Sequence, residues 1–108
     1  MHIAFDARSI HRKMGGIGRA AAGLLPVVNR MRRRHELTAI LGTSLPEGLD
    51  FQGVSVVHVE AGMIDEEFEQ LHLPNLLRRL KADLYFNTTF SVPAVKTTRF
   101  EISIVHDV

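Results

Sequence analysis

A short apolar run, Ile3-Ala4-Phe5, is followed by a glycine-rich stretch, Lys13-Met14-Gly15-Gly16-Ile17-Gly18-Arg19, and then by an alanine- and leucine-rich run from Ala20 onward. This is the order of a strand, a turn and a helix, and it restricts the fold more than any other feature of the chain. Glycines lack a Cβ, so their backbone reaches positive φ and approaches a bound group closely. Placed just before a helix, such a loop aims unpaired amides and the positive end of the helix dipole at an anion. Lys13 and Arg19 flank the turn with positive charge.

The rest of the chain repeats the alternation. Residues 2–6 read as a buried strand, and Asp6-Ala7-Arg8-Ser9 opens a long loop. Apolar residues at Ile17, Ala21, Leu24, Val28 and Met31 mark one helix face. Pro26 lies inside that helix, where it removes an amide and crowds the carbonyl four residues back. Arg30, Arg32, Arg33, Arg34 and His35 close it, complementing the negative dipole end. Leu37–Leu41 is a second strand, Gly42 to Gly53 a polar connection, and Val54–Val59 a β-branched third strand. Asp65-Glu66-Glu67 opens a second helical region, with Pro74 dividing it into two pieces or a bend. Asp83–Phe86 reads as a fourth strand and Phe100–Val105 as a fifth, separated by a loop that begins Asn87-Thr88-Thr89.

Strands alternating with helices indicate an α/β fold with a mostly parallel sheet in a Rossmann-like three-layer sandwich. Ligands of such sheets sit beyond the carboxyl ends of the strands. The glycine loop, Asn87-Thr88 and His106-Asp107 all follow strands, so they are expected to meet at that edge.

Composition narrows the class. With 108 residues the chain has the size of one domain, 1–108. Lys plus Arg number 13 against 12 Asp plus Glu, which offers no case for nucleic acid. There is no cysteine, hence no disulfide or thiolate metal site. Met1–Asp6 does not have the basic start and long apolar region of a signal peptide, and no run approaches the roughly 20 apolar residues of a membrane span. The expected setting is cytoplasmic, with the Arg30–Arg34 run as either a solvated helix end or a peripheral contact on anionic lipid at the inner membrane face. The chain stops at Val105-His106-Asp107-Val108, directly after a strand pattern, and is expected to be the N-terminal piece of a longer protein.

Each signal has a plainer alternative. Gly16-Ile17-Gly18-Arg19-Ala20-Ala21 matches the dinucleotide fingerprint G-x-G-x-x-G/A. That fingerprint follows its strand almost directly, whereas Gly16 lies ten positions past Asp6. Its ribose-binding acid closes the second strand, whereas Glu36 stands at the beginning of this one. A nicotinamide dehydrogenase therefore ranks third among the readings. The glycines alone also fit a plain turn, and His106 a strand-end histidine bonded within the core. His2 and His58 read as structural, His11 and His35 as solvated, and the six histidines show no ligand spacing, so no metal is expected.

Several stretches, taken in order, resemble the N-terminal half of retaining GT-B glycosyltransferases of the group 1, or family-four, type. They are Ile3-Ala4-Phe5-Asp6-Ala7-Arg8, Gly15-Gly16-Ile17-Gly18-Arg19, Phe68-Glu69-Gln70-Leu71 with Leu73–Leu80 and Ala82-Asp83-Leu84, and Val105-His106-Asp107. The resemblance implies a two-domain enzyme whose N-terminal domain mainly holds the sugar acceptor. The C-terminal domain, absent here, would hold most of the nucleotide-sugar donor. By position, Gly15, Gly16 and Gly18 correspond to the loop near the donor diphosphate and the acceptor. His106 corresponds to a strand-end histidine beside the transferred sugar, with Asp107 its neighbour, and Asp6 and Arg8 to a D-A-R element that orders the loop.

The expectations that follow are a catalytic His106 and a substrate- or phosphate-binding set of Lys13, Gly15, Gly16, Gly18, Arg19, Asn87, Thr88 and Asp107. The donor would be a nucleotide-sugar, the acceptor a glycan, lipid or small molecule, and no cofactor or metal would be needed. Alone, the chain would be inactive and prone to self-association. Two departures from the family stand out: Ala20 where many relatives have an aromatic residue, and Asn87-Thr88-Thr89 in place of a His-Ser-Pro type loop. The alternative from another class is a non-catalytic α/β ligand-binding or interaction domain.

Overall fold

The computed structural model describes residues 1–10, 16–42, 51–60, 67–88 and 97–103, with the backbone alone for 16, 17 and 69. Five strands, β1 (His2–Asp6), β2 (Glu36–Leu41), β3 (Ser55–His58), β4 (Leu84–Asn87) and β5 (Phe100–Ser103), form one sheet ordered β3-β2-β1-β4-β5. Every neighbouring pair is parallel. The helical elements are α1 (Gly16–Met31) and a π-helical segment, Phe68–His72, that runs directly into α2 (Leu73–Leu80). The chain is thus α/β with a Rossmann-like strand order.

The strand sequences explain their places. β1 is paired on both sides and covered on both faces, so its middle, Ile3-Ala4-Phe5, is continuously apolar. Its side chains alternate between two cores. Ile3 and Phe5 join Leu37, Ala39 and Leu41 of β2 beneath Ala21 and Leu25 of α1. Ala4 joins Ile40, Tyr85, Phe68, Leu73, Leu76 and Leu77 on the opposite face. The sheet is the middle of three layers, and Phe5 stacks on Phe86 with ring centroids 5.0 Å apart.

The helix α1 buries Ala21 and Leu25, with Leu24 and Val28 partly covered. Met31, expected on that face, is exposed instead. The buried stripe runs through 21, 25 and 28 and next reaches 32 at helical spacing, so Met31 has rotated outward. Arg32 takes the place and is not a solvated member of the arginine run. Its Nε donates to Asn29 Oδ1 at 2.7 Å, Nη1 to the His35 carbonyl at 2.9 Å and Nη2 to the Gly53 carbonyl at 2.9 Å.

Pro74 acts as the sequence indicates. It offers no amide, and its ring crowds the carbonyl four residues back, so the preceding turn widens. Leu73 N–H donates to Phe68 O, an i to i−5 bond, and the regular α-helix begins only at Leu73. The far end of α2 closes with Lys81 in the left-handed region (φ 53°, ψ 42°). Lys81 N–H bonds Arg78 O at 3.0 Å and Ala82 N–H bonds Leu77 O at 3.1 Å. This is a Schellman closure made without the usual glycine.

Strand boundaries differ from expectation by about a residue: β2 begins at Glu36, β3 is confined to Ser55–His58, and β4 runs from Leu84 to Asn87, because Asn87 pairs in register with Ser103. β5 is described through Ser103, and Ile104 and Val105 lie outside the described residues. So do Asp65, Glu66, Thr89 and most of the Gly42–Gly53 connection.

Backbone conformation at two residues yields opposite predictions. Gly53 has φ +76°, and a Cβ there would stand 2.5 Å from Arg32 Nη2. Gly53→Ala should lower stability by about 1–2 kcal/mol, through left-handed strain and loss of the Arg32 contact. Lys81→Gly should raise stability by about 1 kcal/mol by removing the strain of a Cβ in that region. Urea unfolding of the two variants checks both signs.

Candidate functional site

In the order β3-β2-β1-β4-β5, the β1–β4 boundary is the switch point between connections on opposite sides of the sheet, the place beyond the carboxyl ends where sheets of this kind open a crevice. Two segments enter it: Ala7 to Ile10 after β1, and Asn87-Thr88 at the end of β4. Because α1 returns antiparallel to β1, its N-terminus comes back to the same edge. Its first turn, Gly16-Ile17-Gly18-Arg19, carries no acid. The amides of that turn have no partner within the helix. Gly18 is buried, whereas Arg19 and Ala20 are exposed.

Beneath the crevice lies a sealed polar cluster. Asp6 shares the parity of Ala4 and points to the α2 side of the sheet, and the turn after it brings Arg8 to the same side, over Phe68. Their side chains are fully buried and form an ion pair, with Arg8 Nη2 2.8 Å from Asp6 Oδ2 and Nε 2.9 Å from Oδ1. The Arg8 amide closes a local turn by donating to Asp6 Oδ1 at 3.2 Å. Tyr85 donates its hydroxyl to Asp6 Oδ2 at 2.6 Å. The Arg8 guanidinium lies 4.7 Å from the centroid of the Phe68 ring, which covers it from the π-helical segment. Thr88 donates its hydroxyl to the Asp6 carbonyl and lies 3.3 Å from Ser9 Oγ.

These contacts assign the first residues of the loop a structural part. Breaking a buried pair strands a charge and costs about 3–5 kcal/mol, so Asp6 and Arg8 hold each other in place. Thr88 sews the end of β4 to the end of β1. Asn87 and Thr88 have no exposed surface, so both reach a ligand only through their effect on the loop.

Of the residues the sequence marks for the site, Gly16, Gly18, Arg19, Asn87 and Thr88 are brought to this edge. Lys13, Gly15, His106 and Asp107 lie outside the described residues. Phe68, which the sequence marks only within a helical stretch, belongs to the cluster, as do Ser9 and Tyr85, which the sequence does not mark for the site. Tyr85 sits one register step from the pair Phe5–Phe86 but 79 positions from Asp6 along the chain. Among the described residues no group of three or more His, Asp or Glu is placed to hold a metal ion.

Histidines occupy the opposite edge and one flank. His2 Nδ1 donates to the Leu80 carbonyl at 2.6 Å, and Nε2 lies 2.7 Å from Thr38 Oγ1. His58 Nδ1 donates to the Gly42 carbonyl at 2.9 Å, binding β3 to the end of β2.

The fold and crevice define a Rossmann-like α/β domain with a helix N-terminus at its switch point. No protein-family model, no curated protein and no solved structure matches the chain. No helix among the described residues is long and apolar enough to cross a membrane.

The cluster predicts a graded loss of stability. Asp6→Ala, which leaves Arg8 buried without its partner, should cost about 3–5 kcal/mol. Tyr85→Phe, which removes one hydrogen bond to a charged group, should cost about 1.5–3 kcal/mol. In the double variant the two losses should fall short of their sum, because both act on the same carboxylate. Chemical denaturation of the three variants measures this.

Proposed function

We propose that the chain is the acceptor-side domain of a retaining, nucleotide-sugar-dependent glycosyltransferase, acting in the cytoplasm with a second, donor-binding domain. The observation that carries this reading is the first turn of α1. An acid-free turn containing Gly16 and Gly18, with Arg19 exposed beside it, stands at the β1–β4 crevice. The nine residues between Asp6 and Gly16 set it apart from a dinucleotide fingerprint. The ordered sequence resemblance to GT-B enzymes supports the same reading.

The chemistry follows from charge. When a sugar leaves a nucleoside diphosphate, the diphosphate gains negative charge in the transition state. Amides fixed in a helix turn, and a guanidinium beside them, stabilise that charge without reorganising. Each such donor is worth about 100- to 1,000-fold in rate. Arg19 and the Gly16–Gly18 amides supply this from the described part of the chain, and Lys13 adds to it in the proposal. His106 would hydrogen-bond the transferred sugar or a hydroxyl near it, and Asp107 would flank it. Exposed Ala20, where relatives carry an aromatic ring, leaves more room for the acceptor. Most of the donor would be held by the partner domain, so nucleotide binding to this chain alone is expected to be weak.

The sealed Asp6–Arg8 cluster favours a second reading. The most conspicuous polar residues of the edge are internally satisfied, which suits a non-catalytic α/β binding domain equally well. Kinetics separate the two. In the enzyme that contains this domain, Arg19→Ala and His106→Ala should each lower kcat by about 100-fold or more with the fold intact. Wild-type turnover in both variants would sink the glycosyltransferase assignment.

A further inference from the structure

The near-neutral charge of the chain conceals a segregated one. In this parallel topology both described α-helices end at the amino edge of the sheet, opposite the carboxyl ends of the strands. Arg30, Arg33 and Arg34 cluster at the end of α1, and Arg78, Arg79 and Lys81 at the end of α2; all are exposed. These six of the 13 Lys and Arg residues lie on one edge of the molecule. Arg99, just before β5, lies at the same edge.

The two helix ends come from opposite layers, yet they share one hollow. A depression of about 400 Å³ is lined by Met1, His2, Arg34, Glu36, Lys81 and Asp83, together with Leu80. Its acids are partly engaged. Asp83 Oδ2 accepts the His2 amide at 2.8 Å, and Glu36 Oε2 lies 3.7 Å from His2 Nδ1. Glu101 stands one residue further in along β5.

Apolar side chains are exposed among these cations. Met31 is 73% exposed, Phe100 53% and Met1 51%, and all three stand at this edge. Of the exposed large apolar residues described, these three stand at the edge, whereas Val27, Leu71 and Ile102 lie away from it. Cations interleaved with protruding apolar side chains match the boundary of an anionic bilayer. There the charges meet phosphate headgroups and the apolar tips enter the acyl region.

We propose that the amino edge of the sheet is a docking face for an anionic lipid bilayer. Arg34 and Lys81 take a lipid phosphate in the hollow between the helix ends, and Met31 and Phe100 enter the interface. Arg32 is excluded from this role, because its donors are committed to Asn29, His35 and Gly53. Double-stranded nucleic acid would use the same cations but leave Met1 and Met31 without a partner. The proposal is independent of the glycosyltransferase reading, and its test involves no sugar chemistry.

The experiment is sedimentation of the chain with phosphatidylcholine vesicles, with and without phosphatidylglycerol, at low and high salt. The chain should partition onto the anionic vesicles only, and high salt should release much of it. Arg33→Gln, Arg34→Gln, Arg78→Gln and Arg79→Gln combined should lower the partition several hundred-fold, at about fivefold per cation. Met31→Ser keeps every charge and should lower it about fivefold. A wild-type chain that ignores anionic vesicles at low salt, or binds both kinds equally, overturns the proposal. So does a fourfold variant that retains its circular dichroism and binds as wild type. Duplex DNA that displaces the chain from vesicles at equal phosphate, with Met31→Ser binding it unchanged, reassigns the face to nucleic acid.

Discussion

The carboxylate of Asp6 is the constraint on which the carboxyl edge of this domain depends. β1, the central strand, carries it into a place with no exposed surface, where an unpartnered charge would not be tolerated. Four donors meet it: the Arg8 amide, two guanidinium nitrogens of Arg8, and the Tyr85 hydroxyl. Each comes from a different part of the fold's logic. The amide turns the chain out of the strand, and the guanidinium neutralises the charge under the Phe68 ring. The tyrosine locks β4 in register against β1. The chain therefore leaves β1 through a turn, Ala7 to Ile10, that is held from below by buried contacts.

Much of the fold is legible in the sequence, because burial on two faces leaves an unmistakable record. Ile3–Phe5 of β1 and Leu37–Leu41 of β2 are mainly apolar runs, and their alternation with helical stretches points to the parallel class. Edges are harder to read. All four residues of β5 are exposed, so nothing but pairing with β4 defines the strand. Met31 illustrates a different difficulty. It continues the apolar stripe by residue type yet is exposed, while the next residue, Arg32, is half-buried and commits three donors to Asn29, His35 and Gly53.

The site is legible in halves. The Asp6-Ala7-Arg8 spacing contains the ion pair, because the turn that follows β1, closed by the Arg8 amide on Asp6 Oδ1, folds the arginine back over the carboxylate. Tyr85 and Phe68 are invisible at that level, since only strand register and the widened turn before Pro74 bring them over Arg8. Asn87 and Thr88 have surroundings that residue type does not disclose. Polar residues after a strand look ligand-facing, yet Asn87 remains within β4 and Thr88 spends its hydroxyl on the Asp6 carbonyl. Type and position suggested recognition, whereas the third dimension gives both residues an architectural part.

Topology then separates the two ends of the molecule. Parallel strands with returning helices gather helix N-termini at one edge and C-termini at the other. Each C-terminus favours cations through its dipole. A sequence that follows this local preference at both helices accumulates positive charge on one global face, without any change in net charge. The two edges stand a strand length apart, about 15–20 Å at the rise of an extended chain. If a bilayer covers the amino edge, the crevice faces away from it, into water. A sugar acceptor embedded in the same leaflet would then be out of reach. The two proposals together thus favour an acceptor that extends well into the aqueous phase, such as a growing glycan, over a lipid headgroup at the membrane surface.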